Sequence, residues 1–242
     1  MFDEHLEVLL ADTDWAKNIH YDLRYRVYCL ERGYEDPQAH PDAREQDSYD
    51  DIAAHFLVRS RESREWLAGL RLVTGPFESL PMNRVCEVYR DQLPQFKSNE
   101  IAEVSRLCAI PTKRMDFAEG TSTSWISMGL IRAARSYALE HGIRYFFFFI
   151  SDSLARILKR VGIEFTPIGP VSDYRGQRRP YIHDVRFGYR EMENKAPDVH
   201  EMFCSKPGYG LASRSYRTVP KSNTRRIARQ IPYGSLLISR SV

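Results

Sequence analysis

The stretch Ile101-Ala102-Glu103-Val104-Ser105-Arg106-Leu107-Cys108-Ala109-Ile110 is an apolar run that contains one carboxylate and one guanidinium. We interpret it as a core β-strand, in which alternate residues share a face. One face would carry Ala102, Val104, Arg106 and Cys108, and the other Glu103, Ser105, Leu107 and Ala109. Because a lone buried charge is unfavourable, we expect Arg106 to meet a carboxylate and Glu103 to meet a donor or a water. The strand then carries either a structural ion pair at a sheet edge or an active site.

The composition predicts one globular α/β domain with a tail. The chain has 242 residues, of which 43% are hydrophobic and 12% aromatic, enough for one sizeable core. The longest apolar run, at 145–150, is far too short for a membrane span, and residues 1–5 lack a basic signal-peptide region, so we expect a cytoplasmic protein. The cysteines have no CxxC spacing and the histidines no HExxH-like spacing. We therefore expect no disulfide framework and no metal.

The C-terminal segment is basic. No Asp or Glu follows Met202, whereas eight basic residues do: Lys206, Arg214, Arg217, Lys221, Arg225, Arg226, Arg229 and Arg240. Such a tail can bind nucleic acid, an anionic membrane surface or an acidic protein, or can simply be solvated. No helix-turn-helix, RNP or zinc-finger pattern is present, so we expect no nucleic acid partner. A non-enzymatic protein that binds nucleic acid or a membrane surface remains an alternative function. The predicted organisation is one folded domain over 1–195 and a basic extension over 196–242.

Hydrophobic periodicity and glycine positions predict the order of the other elements. Helices are predicted at 14–31, ended by Gly33, at 123–141, ended by Gly142, and at 152–161, ended by Gly162. Besides 101–110, strands are predicted at 55–58, 66–73, 143–150, 164–168 and 181–187. This order describes a mixed sheet with helices on both faces.

Polar residues before the central strand suggest an ion network. Arg24 and Tyr28 are four residues apart on the first helix, and the following loop adds Tyr34; ordinary surface chemistry is the alternative for this cluster. The acidic loop 35–51 carries Asp42, Glu45, Asp47, Asp50 and Asp51. Arg71 lies in the otherwise apolar strand 66–73, as Arg106 does in its own. We expect these two guanidinium groups to meet Asp47, Asp50 or Glu103 and to form a wall of a polar pocket.

The element order is that of acyltransferases of the GNAT type, and several short motifs carry a closer resemblance. The pieces resemble, in order and spacing, the signature of the N-acyl homoserine lactone (autoinducer) synthases: Arg24-Tyr25-Arg26-Val27-Tyr28, Gly33-Tyr34-Glu35, Asp47-Ser48-Tyr49-Asp50, Leu70-Arg71-Leu72 and Glu103-Val104-Ser105-Arg106. A related bacterial branch is more similar still, the long-chain N-acyl amino acid synthases, including the acyltransferases associated with PEP-CTERM/exosortase gene clusters. The resemblance implies a GNAT-like fold.

The resemblance also implies the substrates and their binding residues. The donor would be an acyl carrier protein thioester, and the acceptor the α-amine of an amino acid; the alternative acceptor is S-adenosylmethionine, giving an acyl homoserine lactone. The autoinducer synthases usually have Phe and Trp where this chain has Tyr28 and Tyr34, on the S-adenosylmethionine side of the cleft. Carried over by position, the substrate-binding residues are Arg24, Tyr28, Tyr34, Asp47, Asp50 and Arg71. No cofactor is expected.

The chemistry of amide formation assigns roles on the central strand. The attacking amine must be neutral, so Glu103 is the expected base, acting directly or through a water. Backbone N–H groups beside 104–106 are expected to stabilise the oxyanion, which makes Glu103, Ser105 and Arg106 the predicted catalytic set. Cys108 has no histidine close in sequence and is expected to be a buried structural cysteine.

The sequence also predicts which acyl donor is used and where the donor and its acyl chain bind. GNAT enzymes that use coenzyme A hold its pyrophosphate on a Gly-rich loop, but the stretch 113–124 has only Gly120, so carrier protein is favoured. Carrier proteins are acidic, and a docking face is predicted from the basic tail and Lys113, Arg114, Arg132, Arg156, Lys159 and Arg160. The acyl pocket is predicted from Trp125, Met128, Phe146 and Phe148, although core packing is an alternative. Relatives that select 3-oxo chains tend to carry Thr near Phe148, so we expect an unsubstituted or 3-hydroxy long chain.

Overall fold

The computed structural model describes residues 2–110, 123–205 and 208–216, which form a nine-stranded mixed sheet with helices on both faces. The strands are β1 Leu6–Leu10, β2 Ala53–Ser60, β3 Trp66–Thr74, β4 Ile101–Ala109, β5 Tyr145–Ile150, β6 Thr166–Pro167, β7 Ser172–Asp173, β8 Gln177–Asp184 and β9 Gly210–Leu211. Their order is β6-β8-β5-β4-β3-β2-β1-β9, with β7 paired to β8. The β4–β5 and β1–β9 pairs are parallel and the others antiparallel. The predicted fold class is confirmed.

The helices of the described ranges include the three that periodicity predicts. They are α1 Phe2–His5, α2 Asp14–Arg24, α3 Thr123–Glu140, α4 Asp152–Arg160, α5 Met192–Lys195, α6 Pro197–Cys204 and α7 Ala212–Tyr216. The Thr13 side chain caps α2 by accepting a hydrogen bond from the Ala16 N–H. The predicted helix 14–31 changes character after Arg24, because Tyr25–Glu31 is a π-helix. Its wider turn shifts the direction of the side chains that follow, a device frequent at functional sites.

The two faces of the sheet are covered by different parts of the chain. Side chains of α3, α4 and α6 pack on one face, which we call the α3 face, against residues that include Phe146 and Phe148. On the other, the α2 face, α2 covers Leu57 and Cys108. The rest of the α2 face is covered by the connection between β3 and β4, where Phe77, Leu80 and Met82 pack on Phe147. This connection is a series of short 3₁₀ turns, and the sequence alone said little about it.

The chain after residue 195 contributes to the same core. Val199, Met202 and Phe203 of α6 are buried in the cluster on the α3 face. Leu9 and Leu10 of β1, a strand that the sequence analysis missed, pair with Gly210 and Leu211 of β9. The described part of the predicted extension is therefore packed against the domain, and the boundary at residue 195 stays a prediction. Within the described residues, no helix combines the length and apolar composition needed to cross a bilayer.

A β-bulge in β4 changes the predicted alternation of its side chains. Gly69 of β3 pairs with Cys108 and Arg71 pairs with Ser105, so β4 carries one extra residue in this interval. Arg106 occupies that place with a left-handed backbone, φ 51°. Val104 and Leu107 consequently both pack on the α3 face, while Arg106 reaches the carboxylates beside Arg71. The prediction that Glu103 and Arg106 face opposite sides was wrong. It assumed that side chains alternate regularly along the strand, and a bulge interrupts this alternation.

The bulge coincides with the point where two central strands separate. Parallel pairing of β4 with β5 runs from Ile101–Tyr145 to Val104–Phe148 and then ends, although both strands continue. Beyond Val104, the backbone of β4 no longer pairs with β5. The gap opens beside Glu103, Ser105 and Arg106.

Candidate active site

A cavity of about 230 Å³ lies on the α2 face beside this gap. The sheet contributes Arg71, Glu103, Val104, Ser105, Arg106 and Phe149 to its lining. The π-helix and the acidic loop contribute Tyr28, Tyr34, Asp47 and Tyr49, and the β3–β4 connection contributes Pro81, Met82, Arg84 and Val85. Tyr174, Arg175 and Arg178 of the β7–β8 hairpin complete it. All three residues of the predicted catalytic set thus meet at one cavity.

Glu103 is almost completely buried in the cavity wall, with 4% of its surface exposed. The Met82 N–H donates to its Oε2 at 2.8 Å, which is the donor expected for this carboxylate. Burial raises the pKa of Glu103 to about 7, against the opposing effects of the Met82 N–H and of the nearby Arg71 and Arg106 charges. A carboxyl group with a pKa near neutrality is well suited to exchange protons with a substrate.

Arg71 connects the sheet to the acidic loop, as predicted. Its Nη1 lies 2.6 Å from Asp47 Oδ1 and 2.8 Å from Asp50 Oδ1, and its Nε donates to Ser105 Oγ at 3.1 Å. Burial alone would raise the pKa of the Asp50 carboxyl, but the charges of Arg24 and Arg71 and the Asp47 N–H lower it to about 2. Asp50 therefore stays ionised and fixes both guanidinium groups.

Arg24 is fully buried, so the alternative of ordinary surface chemistry is wrong for this residue. Its Nη1 lies 2.6 Å from Asp50 Oδ1, and its Nε donates to Glu45 Oε2. Neither Arg24 nor Asp50 lines the cavity. The structure places both one layer behind the lining, where they hold the groups that do line it, and their predicted contact with substrate stays a prediction.

Arg106 meets carboxylates, as the analysis of its strand predicted. Its Nη2 lies 3.0 Å from Asp47 Oδ2, 3.1 Å from Glu45 Oε1 and 3.3 Å from Glu35 Oε1. Burial would raise the pKa of Glu45, but Arg24 and Arg106 lower it to about 2. Glu45 and Glu35 were not chosen as candidates, because the loop offers many acidic residues and sequence does not show which of them are buried.

The predicted tyrosines lie side by side in the cavity wall. The rings of Tyr28 and Tyr34 stack with centroids 6.2 Å apart, and the Arg106 guanidinium lies 5.6 Å from the Tyr28 ring centroid. The Tyr28 hydroxyl donates to the Leu107 carbonyl at 2.9 Å, and burial raises the pKa of this phenol. A neutral Tyr28 therefore ties the π-helix to the bulge of β4.

Several lining residues were missed because a hairpin from far along the chain supplies them. Arg175 lies at the turn between β7 and β8 with φ 54°, followed by Gly176 with φ 94°. Its Nη2 lies 2.5 Å from Glu35 Oε1, which joins the hairpin to the acidic loop. The Asp173-Tyr174-Arg175-Gly176 sequence is a turn signal that could have indicated a hairpin. Only the pairing of β8 with β5 brings it to the site.

The residues predicted for an acyl pocket come together on the α3 face. Met128, Phe146 and Phe148 are buried there in one cluster, and Trp125 packs against it. None of them lines the polar cavity, because alternate residues of β5 face opposite sides and Phe149 is the one that reaches the lining. Their role in binding an acyl chain stays a prediction.

The predicted docking face is only partly described. Arg156, Lys159 and Arg160 are exposed on α4, as a docking surface requires. Arg132 is buried, and its Nη2 and Nη1 lie 2.6 and 2.7 Å from the Asp3 carboxylate oxygens, so its inclusion in a docking face was wrong. Lys113, Arg114, Gly120 and most basic residues of the tail lie outside the described residues.

Cys108 and Cys29 are buried, and burial raises the pKa of each thiol, to about 12 and about 11. Both are therefore protonated thiols at neutral pH, which agrees with the structural role expected for Cys108.

Comparison with known proteins agrees with the fold. Residues 23–119 match the model of the acetyltransferase (GNAT) domain. Three solved structures are similar, and the first of them, the AHL synthase LasI, has a TM-score of 0.59 and 16% identity, covering 78% of this chain and 94% of that chain. The CoA-dependent acyl-homoserine lactone synthase BjaI, with SAM and isopentyl-CoA, has a TM-score of 0.63 and 20% identity, covering 86% of this chain and 92% of that chain. FeeM, an N-acyl amino acid synthase from uncultured soil microbes, has a TM-score of 0.54 and 15% identity, covering 81% of this chain and 97% of that chain. No curated protein matches the sequence.

At these identities, the structural likeness establishes the fold alone. The GNAT-like fold predicted from the sequence is confirmed, as is the similarity to autoinducer and N-acyl amino acid synthases. The association with PEP-CTERM/exosortase systems has no counterpart among these three structures and stays a prediction.

Proposed function

We propose that this protein is an N-acyltransferase that moves a long fatty acyl chain from an acyl carrier protein thioester to the α-amine of an amino acid. One observation carries the proposal: a buried carboxyl group, Glu103, with a pKa near 7, stands where β4 and β5 separate and faces a cavity rich in guanidinium groups. This arrangement supplies a proton acceptor for an amine and positive charge for a carboxylate.

Glu103 performs the proton transfer. An amino acid enters as an ammonium ion, and its nitrogen attacks only after losing a proton. The Glu103 carboxylate takes this proton directly or through a water, a contribution of roughly 10²–10⁴ in rate for a well-placed base. The Met82 N–H and the burial of the side chain fix the carboxylate in position.

Attack of the neutral amine on the thioester carbonyl forms the C–N bond and an oxyanion. Collapse of the oxyanion breaks the C–S bond, and the departing thiolate takes up the proton that the nitrogen releases as it becomes an amide. Backbone N–H groups of β4 beyond Val104 are no longer paired with β5, so they are the natural donors for this oxyanion. A well-aimed donor of this kind contributes on the order of 3 kcal/mol to the transition state. Ser105 acts indirectly by holding Arg71, and Arg106 by forming the bulge.

The acyl chain is assigned to the α3 face. The gap between β4 and β5 begins next to Phe148, whose side chain belongs to the aromatic cluster on the α3 face. A thioester carbonyl in this gap would present its carbon to the amine while its alkyl chain lies among apolar side chains. The exposed basic residues of α4 are available to an acidic carrier protein.

A second acceptor is supported by a specific feature of the wall. The stacked rings of Tyr28 and Tyr34 offer π faces beside Asp47, which suit a sulfonium ion such as that of S-adenosylmethionine. The BjaI structure, which contains SAM, has the same fold. With this acceptor, the product would be an acyl homoserine lactone.

The test compares lipid extracts from cells that express the wild type, Glu103→Gln or Glu62→Gln. Glu62 is exposed in the turn between β2 and β3 and is the matched control. We expect N-acyl amino acids in the wild type and Glu62→Gln extracts and none with Glu103→Gln, as measured by mass spectrometry. Acyl homoserine lactones instead would establish the second acceptor. Absence of both products from the wild type would contradict the proposal.

Purified protein then identifies the donor. Acyl carrier protein and coenzyme A thioesters with the same chain are assayed in parallel, and we expect turnover with the carrier protein. Turnover with coenzyme A alone would contradict the donor assignment but leave N-acyl transfer standing. Cytoplasmic location and membrane contact through the basic tail stay predictions.

A further inference from the structure

Most arginines at the cavity are neutralised by the acidic loop. Arg71 and Arg106 each contact Asp47, and Arg175 contacts Glu35. Arg84 and Arg178 also line the cavity, but neither forms a salt bridge with any carboxylate in ranges 2–110, 123–205 and 208–216. These two guanidinium groups are positive charge that the described protein does not balance.

Aromatic rings hold both groups at the cavity. The Arg84 guanidinium lies 5.1 Å from the centroid of the Tyr49 ring, and that of Arg178 lies 5.9 Å from the centroid of the Tyr34 ring. A cation–π contact of this kind restrains a guanidinium group while its N–H donors can still bind an anion. Arg178 uses one weak bond, from Nη2 to the Arg175 carbonyl at 3.5 Å.

The two arginines belong to different walls. Arg84 lies two residues after Met82, whose N–H donates to Glu103, so it stands on the β3–β4 connection, the wall that contacts the base. Arg178 lies on β8, at the hairpin that closes the cavity from another direction. The lining as a whole contains five arginines but only two carboxylates, Asp47 and Glu103. One α-carboxylate would satisfy one of the two free guanidinium groups and leave the other without a partner.

We propose that the acceptor is an acidic amino acid, with its α-carboxylate bound by Arg84 and its side-chain anion bound by Arg178. This inference rests on the proposed function and specifies its substrate class. The α-amine must reach Glu103, and the α-carboxylate is attached to the same carbon, so we assign it to Arg84, on the segment that hydrogen-bonds Glu103. The second anionic group then extends towards β8. A cavity of about 230 Å³ suits a small acceptor, being below the roughly 300–1,000 Å³ of sites for drug-sized ligands.

The experiment compares glutamate with glutamine, which has the same shape without the side-chain charge. We expect the wild type to prefer glutamate in kcat/KM by at least about tenfold, because one charge-assisted bidentate contact separates the two acceptors. Arg178→Gln should remove most of this preference by raising the KM for glutamate, and Arg178→Lys should keep part of it. Arg84→Gln should weaken the binding of glutamate and of glutamine to the same extent. Arg186→Gln, in the turn after β8, and Arg90→Gln, in the β3–β4 connection, are at exposed positions outside the cavity and serve as controls.

Each result decides the inference. Equal use of glutamate and glutamine by the wild type, or an unchanged preference in a folded Arg178→Gln variant, overturns it while N-acyl transfer stands. If Arg178→Gln raises the KM of the acyl donor instead, the guanidinium binds a donor phosphate and the inference is wrong. Calorimetric titration with glutamate and glutamine measures acceptor binding separately from amide formation. Glutamate binding that Arg178→Gln weakens and Arg186→Gln does not, without any amide product, would support the anion site and contradict the proposed function.

Discussion

The two faces of strand β5 differ in how their buried side chains are stabilised. On the α3 face, Phe146 and Phe148 lie in a continuous apolar cluster. On the α2 face, Phe149 borders a cavity whose wall contains buried Arg71 and Glu103. Burying a phenylalanine side chain contributes about 2–3 kcal/mol, whereas a buried ion pair is close to neutral after desolvation. The difference indicates that apolar burial stabilises the α3 side of β5, whereas the cavity on the α2 side keeps charges whose burial adds little net stability.

The largest test of this contrast removes one charge from the α2 face. Arg24→Met leaves the buried carboxylates of Glu45 and Asp50 with Arg106 and Arg71 as their remaining partners. We expect a loss of about 3 kcal/mol in the free energy of unfolding at pH 7, measured with urea, because unpairing a buried charge is strongly destabilising.

The pH dependence of this loss distinguishes the two faces. Glu45 and Asp50 have pKa values of about 2 in the folded protein, below those of an unfolded chain, so their contribution exists above about pH 4 and is lost as the pH falls towards 2. The loss caused by Arg24→Met should therefore be smaller at pH 3 than at pH 7. Phe146→Leu, on the α3 face, should lower the free energy of unfolding by an amount that is equal at pH 3 and pH 7. A pH-independent effect of Arg24→Met would contradict the contrast.

The second test removes the buried charge of Glu103, whose ionised form is destabilised by burial. The folded pKa of Glu103 is about 7, above its ordinary value of 4.5, so the folded protein binds this proton more tightly than the unfolded chain. Stability from this group is present below about pH 4.5 and is lost as the pH rises to about 7. Glu103→Gln should raise the free energy of unfolding at pH 8 by about 3 kcal/mol and change it little at pH 4. The exposed control Glu62→Gln should change neither value; equal stability of Glu103→Gln and wild type at pH 8 would refute the burial argument.

The third test concerns activity on the α2 face. Because the Glu103 carboxylate must be unprotonated to accept a proton, kcat/KM should fall by about tenfold for each pH unit below a value near 7. The measurement is the rate of amide formation from pH 5 to pH 9, with an inactive variant, Glu103→Gln, as the background. A profile that is flat between pH 5.5 and pH 8 would exclude Glu103 as the base.

The smallest test removes a single hydroxyl group at the boundary of the α2 face. Tyr28→Phe deletes the hydrogen bond to the Leu107 carbonyl and should lower the free energy of unfolding by about 1 kcal/mol. A modest fall in kcat should accompany it if this bond positions the bulge. Tyr89→Phe, at an exposed position, is the control for loss of a hydroxyl. An unchanged kcat would show that the bulge does not depend on Tyr28.

Regular patterns in the sequence predicted the framework of the fold. The periodic segments became α3, α4 and β2 to β5 close to their expected bounds, since buried faces impose their repeat on the residues. Strand β1 was missed because five residues give too short a pattern. The sheet face on which Arg106 lies was predicted wrongly, because a bulge depends on how two strands pair and not on the composition of either.

The candidate site was predicted in part for a similar reason. Glu103, Arg71 and Asp47 were found because a charge within an apolar strand, or an acidic loop before it, is visible in the sequence. Arg84 and Arg178 carry no such signal, since exposed arginines are common and only the β8–β5 pairing brings Arg178 to the cavity. The resemblance to synthase motifs does not include them.

The pairing of β9 with β1 has a consequence for the synthesis of the protein. Leu9 and Leu10 leave the ribosome early, but their partners Gly210 and Leu211 come near the end of the described chain. During translation, this edge of the sheet is thus open to strands of neighbouring nascent chains, the usual route to aggregation. Gly210 and Leu211 act as a closing strand, so chains cut before residue 210 should aggregate more than the full chain.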